Sequence, residues 1–456
     1  MCSPEVSGHV KELEVDYGVP SVGVHADVFA RLVEAVSRQN GQPRARRAFV
    51  PTPVTTKTPA ELRGYIEGND PISGRPFYEQ LVEELTRALA DEDLRGTESD
   101  RSTPRLLEPG SEDDLQQVFI DNYWTDFLPI VLPTEERVQR MLKGTSHAPD
   151  ELVGSLRPTG YRELWEFTVE KVAVNAVMAG ARPEYLPVIL ALAASGVTAR
   201  QSSTSSMANL AVVNGPIRDE IGMGSGIGAL GPYNHANATI GRAYGLLSQN
   251  LQGGSRPGTT YMGAQGNPFN YSSVTFAENE EASPWSPYHV QEGHQPDEST
   301  VSPFYVWGAS WNEGIRDTWQ ENLKAMLGGQ DPFMGAILTL DPIVARDLVA
   351  RGFDTKEKLV AWIHENVRMR ADLYWDRFTM RNLMHDIARR GEEPWATYAK
   401  AAPGDLLPVF EPDLIKIVVV GGSSNGQWYS FNGRTLDPRF RNDPSDPMTV
   451  SVDAWR

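Results

Sequence analysis

The chain has a single cysteine, Cys2. That scarcity removes an internal disulfide framework, a multi-thiolate zinc site and a cysteine nucleophile from the reading. Positive charge is also in short supply: 42 Lys and Arg stand against 60 Asp and Glu, for a formal net charge of −18. A nucleic-acid or anionic-membrane partner needs a basic face, so neither is expected. No stretch approaches the length of apolar residues that spans a bilayer, and no apolar signal-type core follows Met1. The expectation is a soluble cytoplasmic protein with no membrane partner. Internal repeats and low-complexity tracts are not apparent. Ser203, Ser205, Ser206, Ser423 and Ser424 are present, but none sits in a Gly-x-Ser-x-Gly elbow, which removes the usual signature of a serine hydrolase.

What is present suits a folded protein. The 456 residues are 40% hydrophobic and 22% charged, and the length exceeds what one simple core holds, so either two packed units or one large elaborated domain is expected. Acidic clusters such as Asp91-Glu-Asp93 and Glu112-Asp-Asp114 read as solvated faces.

Residues 1–114 read as an N-terminal arm with helices and a polar connection, and residues 115–456 as the main body. In the arm, apolar spacing predicts helices over His25 to Gln39 and Pro76 to Ala90, with extended chain from Gln42 to Gly74 between them. In the body, it predicts helices from Phe167 to Gly180, from Pro183 to Gly196 and from Ala236 to Gln249. Strands are expected at Leu210-Ala-Val-Val213, Pro303 to Trp307, Ala336 to Leu340 and Ile415 to Val420. Asp341-Pro342 should open a helix, Asp354 should cap another, and a long amphipathic helix should cover Ala371 to Arg390. The fold class is therefore α/β or α+β: one large elaborated body of mixed sheet and helices with an N-terminal arm.

One window concentrates potential chemistry. Phe276-Ala-Glu-Asn-Glu-Glu-Ala-Ser-Pro-Trp-Ser-Pro-Tyr-His-Val-Gln-Glu-Gly-His294 carries four glutamates and two histidines, and Pro284 and Pro287 keep it out of regular ladders. Two chemistries are open. Glu280 or Glu281, its pKa raised by burial beside Trp285 and by a neighbouring like charge, would exchange protons while His289 orients or shares the proton. Alternatively His289, His294 and Glu281 would hold a divalent transition metal, although no His-x-His or His-x-x-x-His pair supports it. The bland reading is a hydrogen-bonded histidine among solvated glutamates.

Upstream, Gly222, Gly224, Gly226, Gly228 and Gly231 lead into Tyr233-Asn-His-Ala-Asn-Ala-Thr-Ile-Gly-Arg242, and Gly253, Gly254, Gly258, Gly263 and Gly266 follow the helix. A glycine-rich helix entry can receive an anion, with Arg242 adding charge and Asn234 and His235 lining it; simple capping by Asn234 or Asn237 is the alternative. Val418-Val-Val-Gly-Gly-Ser-Ser-Asn-Gly426 ends a strand in a small-residue loop, either a ligand-facing turn or only a turn.

The blocks Tyr123 to Pro129, Val169 to Gly180 with Arg182-Pro-Glu-Tyr185, Val213 to Ile217, Ala236 to Ala243, and Ala277 to Trp285 with His289 resemble a poorly characterised bacterial family. Its members are similar to proteins found beside, or joined to, UGSC-motif selenocysteine or thiol proteins. The resemblance spans about residues 115 to 310 and implies a redox partnership. The family's cysteine is expected after Met178-Ala-Gly180, where this chain has Ala181, so the thiol itself does not carry over.

The expected function is acid/base chemistry (elimination, hydration or hydrolysis) on a small polar, anionic metabolite. Its site would gather Glu280, Glu281 and His289 with Trp124, Asp126, Glu170, Lys171, Asn234, His235 and Arg242. The alternatives are a metal-dependent oxidoreductase and a non-catalytic partner of a redox protein; assembly into a homo-oligomer stays open.

Overall fold

Among the described residues, thirteen strands alternate with helices: β1 Gly23–Ala26, β2 Arg47–Val50, β3 Leu152–Leu156, β4 Trp165–Thr168, β5 Ala208–Asn214, β6 Val274–Ala277, β7 Thr300–Glu313, β8 Ala336–Leu340, β9 Arg368–Arg370, β10 Leu406–Pro408, β11 Ile415–Val419, β12 Gln427–Arg434 and β13 Val450–Ser451. The computed structural model describes residues 3–54, 57–95, 104–156, 165–196, 207–251, 257–258, 265–313, 317–435 and 449–456. Gly253, Gly254 and Gly263, the serines at 203, 205 and 206, and much of the tail after Arg434 lie outside those residues. A seven-stranded mixed sheet and its flanking helices make an α/β body, as the alternation of strand and helix patterns implies.

The sheet is built twice from one unit. In the first, β5 runs through the helix His235–Leu251 to β6, which pairs parallel to β5, and β7 then returns antiparallel on β5's other side. In the second, β8 leads through helices including Pro342–Ala350 and Lys356–Asn366 to a parallel β11, and β12 returns antiparallel on β8. The returning strands β7 and β12 pair with each other and join the halves, giving the order β11-β8-β12-β7-β5-β6. The loop that leaves β6 then meets the other outermost strand, β11. Asn279 N–H donates to the Val419 carbonyl at 2.8 Å, and the Asn279 side chain donates to the Gly421 carbonyl at 2.9 Å.

Strand periodicity sorts the side chains into two faces. Leu210, Val212, Phe276, Phe304, Val306, Ile337, Val418 and Phe431 come from all six main strands and form one inner cluster, so the sheet wraps in the manner of a barrel. The alternate residues face outward. Ala211, Val213, Ala277 and Val301 pack on the helices of residues 112–251, whereas Leu338, Leu340, Ile417, Val419 and Trp428 pack on those of residues 319–389. No repeat was visible in the sequence because apolar residues on both faces are interchangeable within each half.

Several local expectations change. The helix predicted from His25 starts instead as β1, paired in parallel with β2, passes through a 3-10 turn at Asp27–Phe29 and becomes α-helical only from Ala30. Between Gln42 and Gly74 the chain is not merely extended: Thr58 and Glu61 form a capping box for the helix Pro59–Glu67. The next helix runs Phe77–Thr86, and buried Arg46 collects the Glu84, Arg87 and Ala88 carbonyls at its end. Thr355, not Asp354, caps Lys356–Asn366, while Asp354 pairs with Lys358. The long helix expected over Ala371 to Arg390 is broken: Arg377 has ψ 137, and the Thr379 hydroxyl is drawn to the Asp331 carboxylate. Among the described residues, no helix is long and apolar enough to cross a membrane.

Candidate functional site

The loops that leave β5 and β6 carry the densest buried polar chemistry. Asn214 ends β5, and Gly215 follows at φ 79, a conformation that only glycine adopts without strain and where a side chain would strike the Glu298 backbone. The turn lets Arg218, from the short helix Ile217–Glu220, point back under the strand ends. Glu278 follows β6 and is fully buried. Its Oε2 accepts from Asn214 Nδ2 at 2.7 Å and from the Tyr288 N–H at 2.6 Å, while Oε1 pairs with Lys356 Nζ at 3.1 Å. Lys356 is itself buried and comes from the second half of the sheet, so this ion pair ties the two halves together.

Glu280 sits one layer out, its side chain 13% exposed. Its Oε1 accepts from Asn214 Nδ2 at 2.9 Å and Gly215 N–H at 2.8 Å, and lies 3.2 Å from Arg218 Nε. All of these contacts fall on Oε1; Oε2 takes none among the described residues. Glu281 is different. Arg218 grips its two oxygens at 2.8 and 3.4 Å, and its side chain is 63% exposed. The hydrogen bond from Arg218 holds its carboxyl below the ordinary range, the opposite of the raised pKa expected from the sequence. Trp285, invoked as the cause, instead donates its indole N–H to the Phe353 carbonyl.

His289 lies behind Glu280 at 0% exposure. Its Nδ1 is 3.9 Å from Glu280 Oε1, beyond hydrogen-bond reach, and among the described residues neither ring nitrogen has a hydrogen-bond partner. A fully buried imidazole left in that state calls for an explanation, since buried polar atoms are nearly always paired. The metal set of His289, His294 and Glu281 is not assembled. His294 turns to Glu298 at 2.9 Å and the Thr449 carbonyl at 3.2 Å, Glu281 is taken by Arg218, and no group of three metal-type ligands occurs among the described residues.

The remaining predicted residues gather elsewhere. Arg242 forms a two-pronged ion pair with Asp126, at 3.0 and 2.9 Å, and also donates to the Leu128 and Pro129 carbonyls. It therefore staples residues 126–129 to the helix His235–Leu251 instead of facing an anion at the helix start. There the glycine loop is clamped by Asn237, which binds both the N–H and the carbonyl of Gly224, and by Asn234, which donates to Gly228 and Gly231. His235 meets the Tyr185 hydroxyl at 3.3 Å, and Trp124 packs edge-on against Phe119. Lys171 is exposed, and Glu170 pairs with Arg105. None of these contacts joins the Glu278 to His289 network. Ala181 packs against the helix-side core.

Arg218, Asn214 and Lys356 escaped the sequence reading as site residues. Asn214-Gly-Pro216 looked like a turn, and Lys356 like a helix start 78 residues from its partner. In the second half, Asp341 takes the place of Asn214 at the end of β8. There it caps the next helix through Ile343 and Val344 N–H and accepts from Gln427 N–H. Arg346, on that helix, donates to Ser423 Oγ at 3.1 Å, much as Arg218 reaches the loop after β6. No carboxylate pairs with Arg346 among the described residues. No family model, curated protein or solved structure matches this chain.

Proposed function

We propose that the chain is an acid/base enzyme acting on a small anionic metabolite by elimination, hydration or hydrolysis, with Glu280 as the proton-transferring group. The observation that carries this reading is the asymmetry of the Glu280 carboxylate. Two hydrogen bonds and the Arg218 charge fix Oε1, and Oε2 takes no contact among the described residues, on a side chain that reaches the surface. A base held rigidly by one oxygen presents the other in a fixed direction, which favours proton transfer from a bound substrate. His289 is the positioning group behind it. Glu281, by contrast, neutralises Arg218. The substrate's anionic group is assigned to Arg346, on the helix Pro342–Ala350, and Ser423, on the loop that touches Asn279.

The test is turnover of a panel of hydroxy, unsaturated and ester carboxylates, read by mass spectrometry. Glu280→Gln should lower the rate by about 100-fold or more with an unchanged thermal midpoint, since general-base groups typically contribute that much. Glu281→Gln should keep most of it. Equal turnover by Glu280→Gln, or no turnover of any panel member by the wild type, would overturn the assignment.

A further inference from the structure

At the opposite end of the helix Lys356–Asn366 from the Lys356–Glu278 pair, a cleft of about 560 Å³ opens in the second half of the chain, lined by His364, Arg368, Tyr398, Lys400, Asp405 and Leu407 among others. Its volume lies within the range of small-molecule sites. Three elements build it: the end of the helix Lys356–Asn366, the antiparallel pair β9 and β10, and the residues around the helix Trp395–Tyr398.

The charge of its wall is out of keeping with the chain. In a protein of net charge −18, Arg368, Lys400 and His364 converge on one cleft, and among the described residues none of them pairs with a carboxylate. Arg368 spends Nε on the Glu365 carbonyl at 2.7 Å and reaches the Leu406 carbonyl only at 3.5 Å, so much of its guanidinium is unused. His364 Nδ1 lies 2.9 Å from the Phe410 carbonyl, which can only accept; Nδ1 therefore carries the proton and Nε2 is unengaged. One acid, Asp405, belongs to the wall itself, so Arg368 and Lys400 leave the cleft with an excess of positive charge. Asp405 accepts the Ala402 N–H at 2.7 Å to close its turn, and Glu411 accepts the Tyr398 hydroxyl at 2.8 Å. The rest of the wall is Thr397, Asp405 and an apolar stretch of Ala401, Leu406, Leu407 and Pro408.

We infer that this cleft is a second binding site, separate from the glutamate loop, for a small organic monocarboxylate with a hydrocarbon body. The carboxylate lies between Arg368 and Lys400, with His364 Nε2 as a further partner, and the chain runs along Leu406, Leu407 and Pro408. An arginine fork matches a carboxylate's two oxygens, and a second unpaired cation adds attraction that salt screens.

The experiment is calorimetric titration of the intact chain with hexanoate, with hexylamine and inorganic phosphate as comparisons. Hexanoate should bind saturably, weaken at least tenfold in the Arg368→Gln, Lys400→Gln double variant, and weaken with added salt; hexylamine should not bind. Both replaced side chains are exposed, so the variant should fold. Glu280→Gln should leave the titration unchanged, so failure of the proposed acid/base site and failure of this one are distinguishable. Absence of hexanoate binding, binding indifferent to the double variant, or phosphate bound as tightly as hexanoate would each overturn the assignment.

Discussion

The two halves of the sheet share one strand order but treat the loops after their equivalent strands in opposite ways. After β5 and β6, the chain places Asn214, Arg218, Glu278, Glu280 and His289 in a buried network. After β8 and β11 it places a helix cap, Asp341, and a run of small residues, Gly421-Gly-Ser-Ser-Asn-Gly426, with Gly421 at φ 105. The first half concentrates charge where desolvation is costly, and the second lets backbone approach closely. A folding requirement alone would not call for the first arrangement, because well-packed apolar residues serve stability at least as well as buried ion pairs. The difference is the ground for placing the proposed acid/base chemistry in the first half, with Lys356 as the second half's contribution to its network.

The largest test of that contrast removes the shared ion pair. Lys356→Ala leaves Glu278 buried without its cation and should destabilise the chain by about 3–5 kcal/mol in denaturant unfolding. A loss near that of an exposed lysine would mean that the halves are not coupled through this pair. Exchanging the equivalent residues comes next. Asn214→Asp removes two donors to carboxylates and adds a third acid beside them, at a cost of roughly 3 kcal/mol or more. Asp341→Asn keeps a capping side chain and should cost about 0.5–1 kcal/mol, mainly through the Gln427 contact. Similar losses at both sites would erase the distinction between the halves.

The smallest effect concerns pH. Glu281 has its pKa lowered by Arg218, so the folded state holds its proton less tightly than the unfolded chain. The stability this confers is present above the unfolded value near 4.5 and is lost as pH falls through the lower folded value. Because the side chain is mostly exposed, the contribution should stay below about 1 kcal/mol. Comparing wild type with Glu281→Gln at pH 6 and near pH 2.5 measures it: the difference between them should shrink at the lower pH. In the second half, Ser423→Ala removes no titrating partner from Arg346 and should show no such dependence.

Local patterning made much of the fold legible. The apolar run Leu210 to Val213, the strand Ala336 to Leu340 with its Asp341 cap, and the helix after Pro183 follow from side-chain periodicity and backbone chemistry that each segment carries by itself. The window from Glu278 to His289 was likewise visible, because carboxylates and histidines between prolines are conspicuous in any context. Which glutamate does what was not. Glu280 and Glu281 are neighbours in the chain, yet one is held by a single oxygen under β5 and the other is gripped by Arg218 at the surface.

Composition, periodicity and capping residues thus determined the kinds of elements, the acidic surface and the segment richest in chemistry. Tertiary structure alone decided the duplicated strand order, the pairing of Lys356 with Glu278, and the commitment of Arg242 to Asp126, 116 residues away. The physical reason is range. Propensity and amphipathicity act over a few residues, whereas the environment that sets a carboxylate's role comes from groups that meet only when distant strands pair.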